Sequence, residues 1–211
     1  MKKLILSVLF ALAFGPLWAQ YTTADIFKTT VEITWLGVDY SDVKFIGPAS
    51  GWGEVSTKSP TEMRDKYFPE WNSLIVNEWK AFKIEDAVYR TEVLQDIKAI
   101  SKANEKSNKK EIFSESISDY QLLTESDVKS MVKKYDFNGK EGLGFLLIAE
   151  GMSKGKEEAS YWVTFVDMKS KTVLLTKRMT GKAGGFGFRN YWAGSIKSLM
   201  KSIRKEFKTW R

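Results

Sequence analysis

The chain has 211 residues, 33 basic and 26 acidic side chains, a formal charge of +7, and neither cysteine nor histidine. Those absences exclude disulfides, thiolate nucleophiles, imidazole general bases and Cys/His sites for zinc, copper or haem. Carboxylates remain as the main acid/base groups, on a chain long enough for one ordinary domain.

Lys2 and Lys3 precede an apolar run over residues 4–14, then Gly15 and Pro16, then Ala19. A basic start, a short apolar stretch and a small residue before the cut predict a secretory signal peptide over residues 1–19. The mature part, 20–211, is then a single periplasmic or secreted domain. Without a cysteine at the cut no lipid anchor is expected, and no later apolar run is long enough to span a bilayer.

Val31, Ile33 and Trp35 alternate with Glu32 and Thr34, which predicts a strand with one buried face. Residues 44–60 carry Gly47, Pro48, Gly51, Gly53 and Pro60 around Trp52, a loop composition. From 61 to 82 the spacing turns helical, with Pro69 opening a second helix at its first turn. Trp71, Leu74, Ile75, Trp79 and Phe82 form its apolar stripe. Residues 87–94 alternate as a short strand, and 102–111 read as a solvated helix end or loop. Thr124 followed by Asp127 resembles a capping box that opens a helix running to about Tyr135.

Residues 143–149, 161–166 and 173–179 read as three strands joined by short connections, an antiparallel meander. A glycine-rich connection, 181–190, leads into a long amphipathic helix with Trp192, Ile196, Leu199, Met200, Ile203 and Phe207 on one stripe. The fold class expected is α/β (α+β): one mixed, largely antiparallel sheet of about five strands, with helices packed on it.

The glycine-rich segment is the sharpest candidate site. Gly185 and its neighbours permit close backbone approach, Asn190 can cap the following helix, and Lys182 and Arg189 lie nearby for an anionic group. The segment matches neither nucleotide-loop pattern, since Asn190 stands where the dinucleotide fingerprint needs glycine and no Gly-Lys-Ser/Thr occurs. Trp52, flanked by glycines, suits a protein or glycan contact or a buried loop lock. Ser-x-x-Lys spacings recur, but Ser-Asp-Asn and Lys-Thr-Gly, which a penicillin-recognising enzyme also needs, are absent. A carboxylate pair drawn from Asp39, Asp42, Glu54, Glu150 and Asp167, with tryptophans stacking sugar rings, would suit a small glycan-processing enzyme. No cofactor or metal is called for, and export argues against nucleic acid.

The stretch VTFVDMKSKTVLLTKRM (163–179), the glycine loop and the terminal helix resemble an envelope α/β module. That module is found in the TolB N-terminal domain, CsgG-like curli export proteins and lipoprotein activators of cell-wall synthases. The likeness spans roughly residues 143–207, with Asp167 and Lys169 as the matching turn residues. The 181–192 string also looks like a signature of small exported bacterial proteins. The resemblance implies a non-catalytic partner-binding or assembly module and carries no functional residue over. The function expected is thus an exported interaction module that binds an envelope protein or an anionic ligand through its glycine-rich loops.

Overall fold

The computed structural model describes residues 20–47, 58–108 and 111–211. The predicted leader, Trp52 and Glu54 lie outside the described residues. The element order begins with strands β1 (Ile33–Asp39) and β2 (Lys44–Ile46). A helical run follows, made of α1 (Pro60–Glu62), a π turn (Met63–Tyr67) and α2 (Phe68–Asn77), then the short helices α3 (Trp79–Phe82) and α4 (Ile84–Ala87). Next come β3 (Leu94–Gln95), α5 (Lys98–Asn104), β4 (Phe113–Ser114) and α6 (Glu125–Lys134). Strands β5 (Leu143–Ser153), β6 (Glu158–Asp167) and β7 (Thr172–Lys182) precede α7 (Phe188–Glu206).

The seven strands form one sheet. β5 pairs along its length with β6 on one edge; its other edge is divided, with β1 against residues 143–148 and β2 against 151–153. β3 and β4 extend β1 and β2 in turn, so the sheet is five strands wide. The expected largely antiparallel sheet is overturned. β1 to β5 are mutually parallel, and β7 shares their direction because it opposes β6, which alone runs the other way. The reason lies in the first two thirds of the chain. There β2 continues the direction of β1 across residues 40–43, and helical segments return the chain between β2 and β3, β3 and β4, and β4 and β5, as parallel pairing requires, whereas period-two patterns report a strand without its direction.

Both faces are covered. The apolar stripes of α2 and α7 close one core around Trp35, Phe145, Phe165 and Trp192. Val128, Met131 and Val132 of α6, with Ile100 of α5, close the other against Leu36, Leu146, Ile148 and Trp162. This double cover explains why β5 is buried at all eleven positions. Residues 87–94 depart from the expected strand: α4 ends at Ala87, a turn follows, and pairing begins only at Leu94. Arg90 in that turn is buried and donates to the carbonyls of Val31, Val88 and Ile26 at 3.0, 3.0 and 2.8 Å.

The break between β1 and β2 is held by two buried asparagines. Past Gln95, β3 no longer covers β1, and Asn72 of α2 takes its place: its Oδ1 accepts from Val38 N at 2.8 Å and its Nδ2 donates to Val38 O at 2.9 Å. Asn104 at the end of α5 donates to the same carbonyl at 3.0 Å, and its Oδ1 accepts from Tyr40 N at 2.6 Å. Gly37 makes room for this. It sits at φ +104° in the strand irregularity, and a Cβ there would stand 2.9 Å from Asn72 Oδ1. Asn72→Ala should therefore lower unfolding stability by about 2–3 kcal/mol, because the buried Val38 N–H loses its partner. Chemical denaturation would measure it, and a loss below about 0.5 kcal/mol would show that the side chain is not what satisfies the strand.

Candidate functional site

The register aligns Ser114, Ile46, Ser153, Glu158 and Lys182 in one row across all five columns of the sheet. This row is the carboxyl end of β2, β4, β5 and β7, the end at which open parallel sheets bind their ligands. Two glycine-rich segments, far apart in sequence, leave from it: one at Gly47, whose N–H donates to Ser114 O at 3.0 Å, the other after Lys182.

The second segment folds back over α7. Ala183 N donates to Glu157 O at 2.7 Å, Gly184 N to Tyr191 O at 3.0 Å, and Tyr191 N to Gly187 O at 2.9 Å. Gly185, at φ +133°, brings its Cα so close that a Cβ would meet Asn190 O at 2.9 Å. The helix begins earlier than Asn190 suggests: Gly187 is the N-cap, and Asn190 stands exposed inside the first turn, capping nothing. Phe188 turns inward, with its ring 6.3 Å from Phe45 and 4.8 Å from Tyr67, while Phe186 at the loop tip is 96% exposed.

Lys182 and Arg189 are both exposed. The Arg189 carbonyl anchors the loop by accepting from Trp71 Nε1 at 2.9 Å, while its side chain borders a shallow groove with Asp65, Glu70 and Asn77. Lys154, in the turn between β5 and β6, lies 3.8 Å from the centre of the Tyr191 ring. The structure thus brings Gly185, Arg189 and Asn190 together on one loop and helix start, with Lys182 at its base.

A separate cavity of about 620 Å³ opens where β1 breaks off, between α5 and the end of α6. Asp39 lies beneath it, fully buried; its carboxylate accepts from Ser41 N at 2.7 Å and from the Tyr135 hydroxyl. Burial raises the Asp39 carboxyl above its ordinary range against these bonds, and burial beside Asp39 raises the Tyr135 hydroxyl. Asp42, Asp136, Lys102, Lys106 and Lys134 line the cavity, so its charges nearly balance, and two helix C-termini face it. That field selects neither sign of ligand.

The other acids singled out in the sequence are engaged in the fold. Asp167 Oδ1 accepts from Lys169 N at 2.9 Å and Ser170 N at 3.3 Å, forming the turn between β6 and β7. Glu150 is buried and accepts from Arg178 Nε at 2.7 Å, Ser160 Oγ at 2.7 Å, Trp162 Nε1 at 3.1 Å and Leu123 N at 3.2 Å. The Arg178 guanidinium covers the Trp162 ring at 4.5 Å. Among the described residues no tryptophan lines the cavity, and Trp35, Trp71 and Trp192 are sealed in the core, so the sugar-stacking cleft of a glycan-processing enzyme is not formed by them. Among the described residues no cluster of acids is placed to hold a metal ion, and no helix is long and apolar enough to cross a membrane.

Charge distribution supplies a signal that local motifs miss. Residues 168–205 contain ten lysines and arginines and no acid, so the net excess of +7 resides in β7, the glycine loop and α7. Comparison with family models, curated proteins and solved structures gives no match.

Two measurements check these electrostatics. In a carboxyl NMR titration Asp39 should protonate above 3.8, whereas Asp25, held down by the Lys28 ammonium and the Thr22 backbone and hydroxyl, should titrate at about 2. The stability contributed by Asp25 is then complete above 3.8 and lost as pH falls through about 2; Asp39 acts oppositely, its burden relieved as pH falls towards 3.8. An Asp39 midpoint at or below 3.8 would contradict the assigned burial. Glu150→Gln should cost about 1–3 kcal/mol in unfolding stability, because Arg178, Ser160, Trp162 and Leu123 lose their charged acceptor, and a near-neutral result would contradict the network.

Proposed function

We propose that this chain is an interaction module of the cell envelope that recognises its partner at the carboxyl end of the sheet, with Phe186 as the central anchor. The observation that carries the reading is the coincidence of two features at one end. Gly47 and Lys182 leave the sheet level with each other at the strand-end row, and the loop that follows Lys182 presents a phenylalanine 96% exposed. A lone aromatic ring held in water by glycines on either side contributes nothing to a core; burying it against a partner would gain roughly 2 kcal/mol. Lys182 and Arg189 flank it and favour an acidic partner surface. Export, read from residues 1–19, places this partner in the periplasm or outside the cell.

Phe186→Ala should leave the melting temperature unchanged, because the side chain packs on nothing, while reducing the amount of partner recovered from envelope extract about tenfold. The double variant Lys182→Ala/Arg189→Ala should reduce recovery a few-fold, more strongly at low salt. Quantitative mass spectrometry of the captured proteins decides it: the same proteins recovered in the same amounts by wild type and Phe186→Ala would remove Phe186 and this end of the sheet from recognition.

A further inference from the structure

β7 is an outermost strand of the sheet, eleven residues long, and pairs only with β6 among the described residues. Its first part is closed from the side: Thr23 Oγ1 donates to Leu174 O at 2.9 Å, and Gln20 Nε2 donates to Thr172 Oγ1 at 3.3 Å. From 175 to 182 no described segment bonds to its outer edge, leaving about 27 Å of strand with backbone donors and acceptors directed outward. The opposite edge of the sheet is blunt by comparison, since β3 and β4 have two residues each.

Side chains on this edge are selective. β7 carries Lys177, Arg178 and Lys182 and no acid, and Lys177 and Lys182 make no ion pair among the described residues. Antiparallel pairing of two copies of β7 about their centre would oppose Lys177 to Lys177 of the second copy, and like charges directly across a ladder are destabilising. An extended segment with acidic residues at alternate positions on the Lys177 face meets both demands, completing the ladder with its backbone and pairing Lys177, while Lys182, an odd number of residues away, projects to the opposite face. From this geometry we propose that the outer edge of β7, residues 175–182, is a strand-addition site for an acidic extended segment of a partner protein. The proposal rests on the reading of the chain as an interaction module and specifies the chemistry of what it takes.

The test uses the full chain and a fluorescent eight-residue peptide of alternating Glu and Val, followed by fluorescence anisotropy. The peptide should bind saturably, and the same peptide with Lys for Glu should bind at least tenfold more weakly. Two further versions carry N-methyl groups on alternate residues, one set blocking one edge of the peptide strand and the other set the opposite edge; one should lose binding and the other keep it. Lys177→Glu should weaken binding about fivefold or more, with circular dichroism unchanged. No binding by the acidic peptide, equal binding by the two methylated versions, or an unaffected Lys177→Glu variant would overturn strand addition at this edge. If that happened while Phe186→Ala still lost its partner, only the edge would fall and the interaction reading would stand.

Discussion

The architecture depends on how the backbone of Val38 is satisfied where β1 loses its outer neighbour. Asn72 and Asn104 supply the bonds that another strand would otherwise make, one from α2 and one from α5. Because side chains and not a strand fill that place, the chain can leave the sheet at Asp39 and re-enter it at Lys44 on the same edge of β5. Three things follow. The buried Asp39–Tyr135 pair and its cavity occupy the gap, β2 reaches the far end of β5, and Gly47 emerges level with Lys182. An uninterrupted β1 would have no such gap to bring Gly47 level with Lys182.

Charge then separates the two open features of the molecule. The cavity between α5 and α6 mixes aspartates, lysines and helix C-termini, so the fields largely cancel. The β7–α7 unit does the opposite: it concentrates cations without a single acid over 38 residues. Part of that charge is used within the fold. Arg178 neutralises Glu150, Lys197 faces Glu78 at 3.5 Å, and Arg204 lies 3.8 Å from Asp86. Lys169 likewise faces Glu141 at 2.8 Å, and of the other cations Lys177, Lys182 and Arg189 lie exposed along the outer strand and the loop and helix start that follow it. The proposed recognition of an acidic protein surface draws on this arrangement.

Much of the local structure was legible in the residues. The Thr124–Asp127 capping box is formed, with Thr124 N donating to Asp127 Oδ2 at 2.8 Å, and the stripe from Trp192 to Ile203 faces the core. Strand direction was not legible, because alternation along 33–39 is the same whether a neighbour runs with or against it. Nor were the roles of Asn72, Asn104 and Arg90, whose partners lie 34 to 66 residues away and leave no mark on local spacing. Asn190 misled for a related reason. Asparagine is a good cap, but Gly187 can adopt φ +77° and begins the helix three residues earlier. The glycines mark a loop, while nothing in the local sequence separates its most exposed residue, Phe186, from the core-packed aromatics that follow it. The acid-free run from 168 to 205 was visible in the sequence and is informative only once the fold shows that it occupies the open edge.

The most direct measurement is differential hydrogen exchange on the full chain, alone and bound to the partner captured from envelope extract. The account predicts slowed exchange over residues 175–188, from the outer edge of β7 through the glycine loop, with α5 and the end of α6 unchanged. Protection confined to the cavity between α5 and α6, with the β7 edge and the loop unaffected, would contradict it.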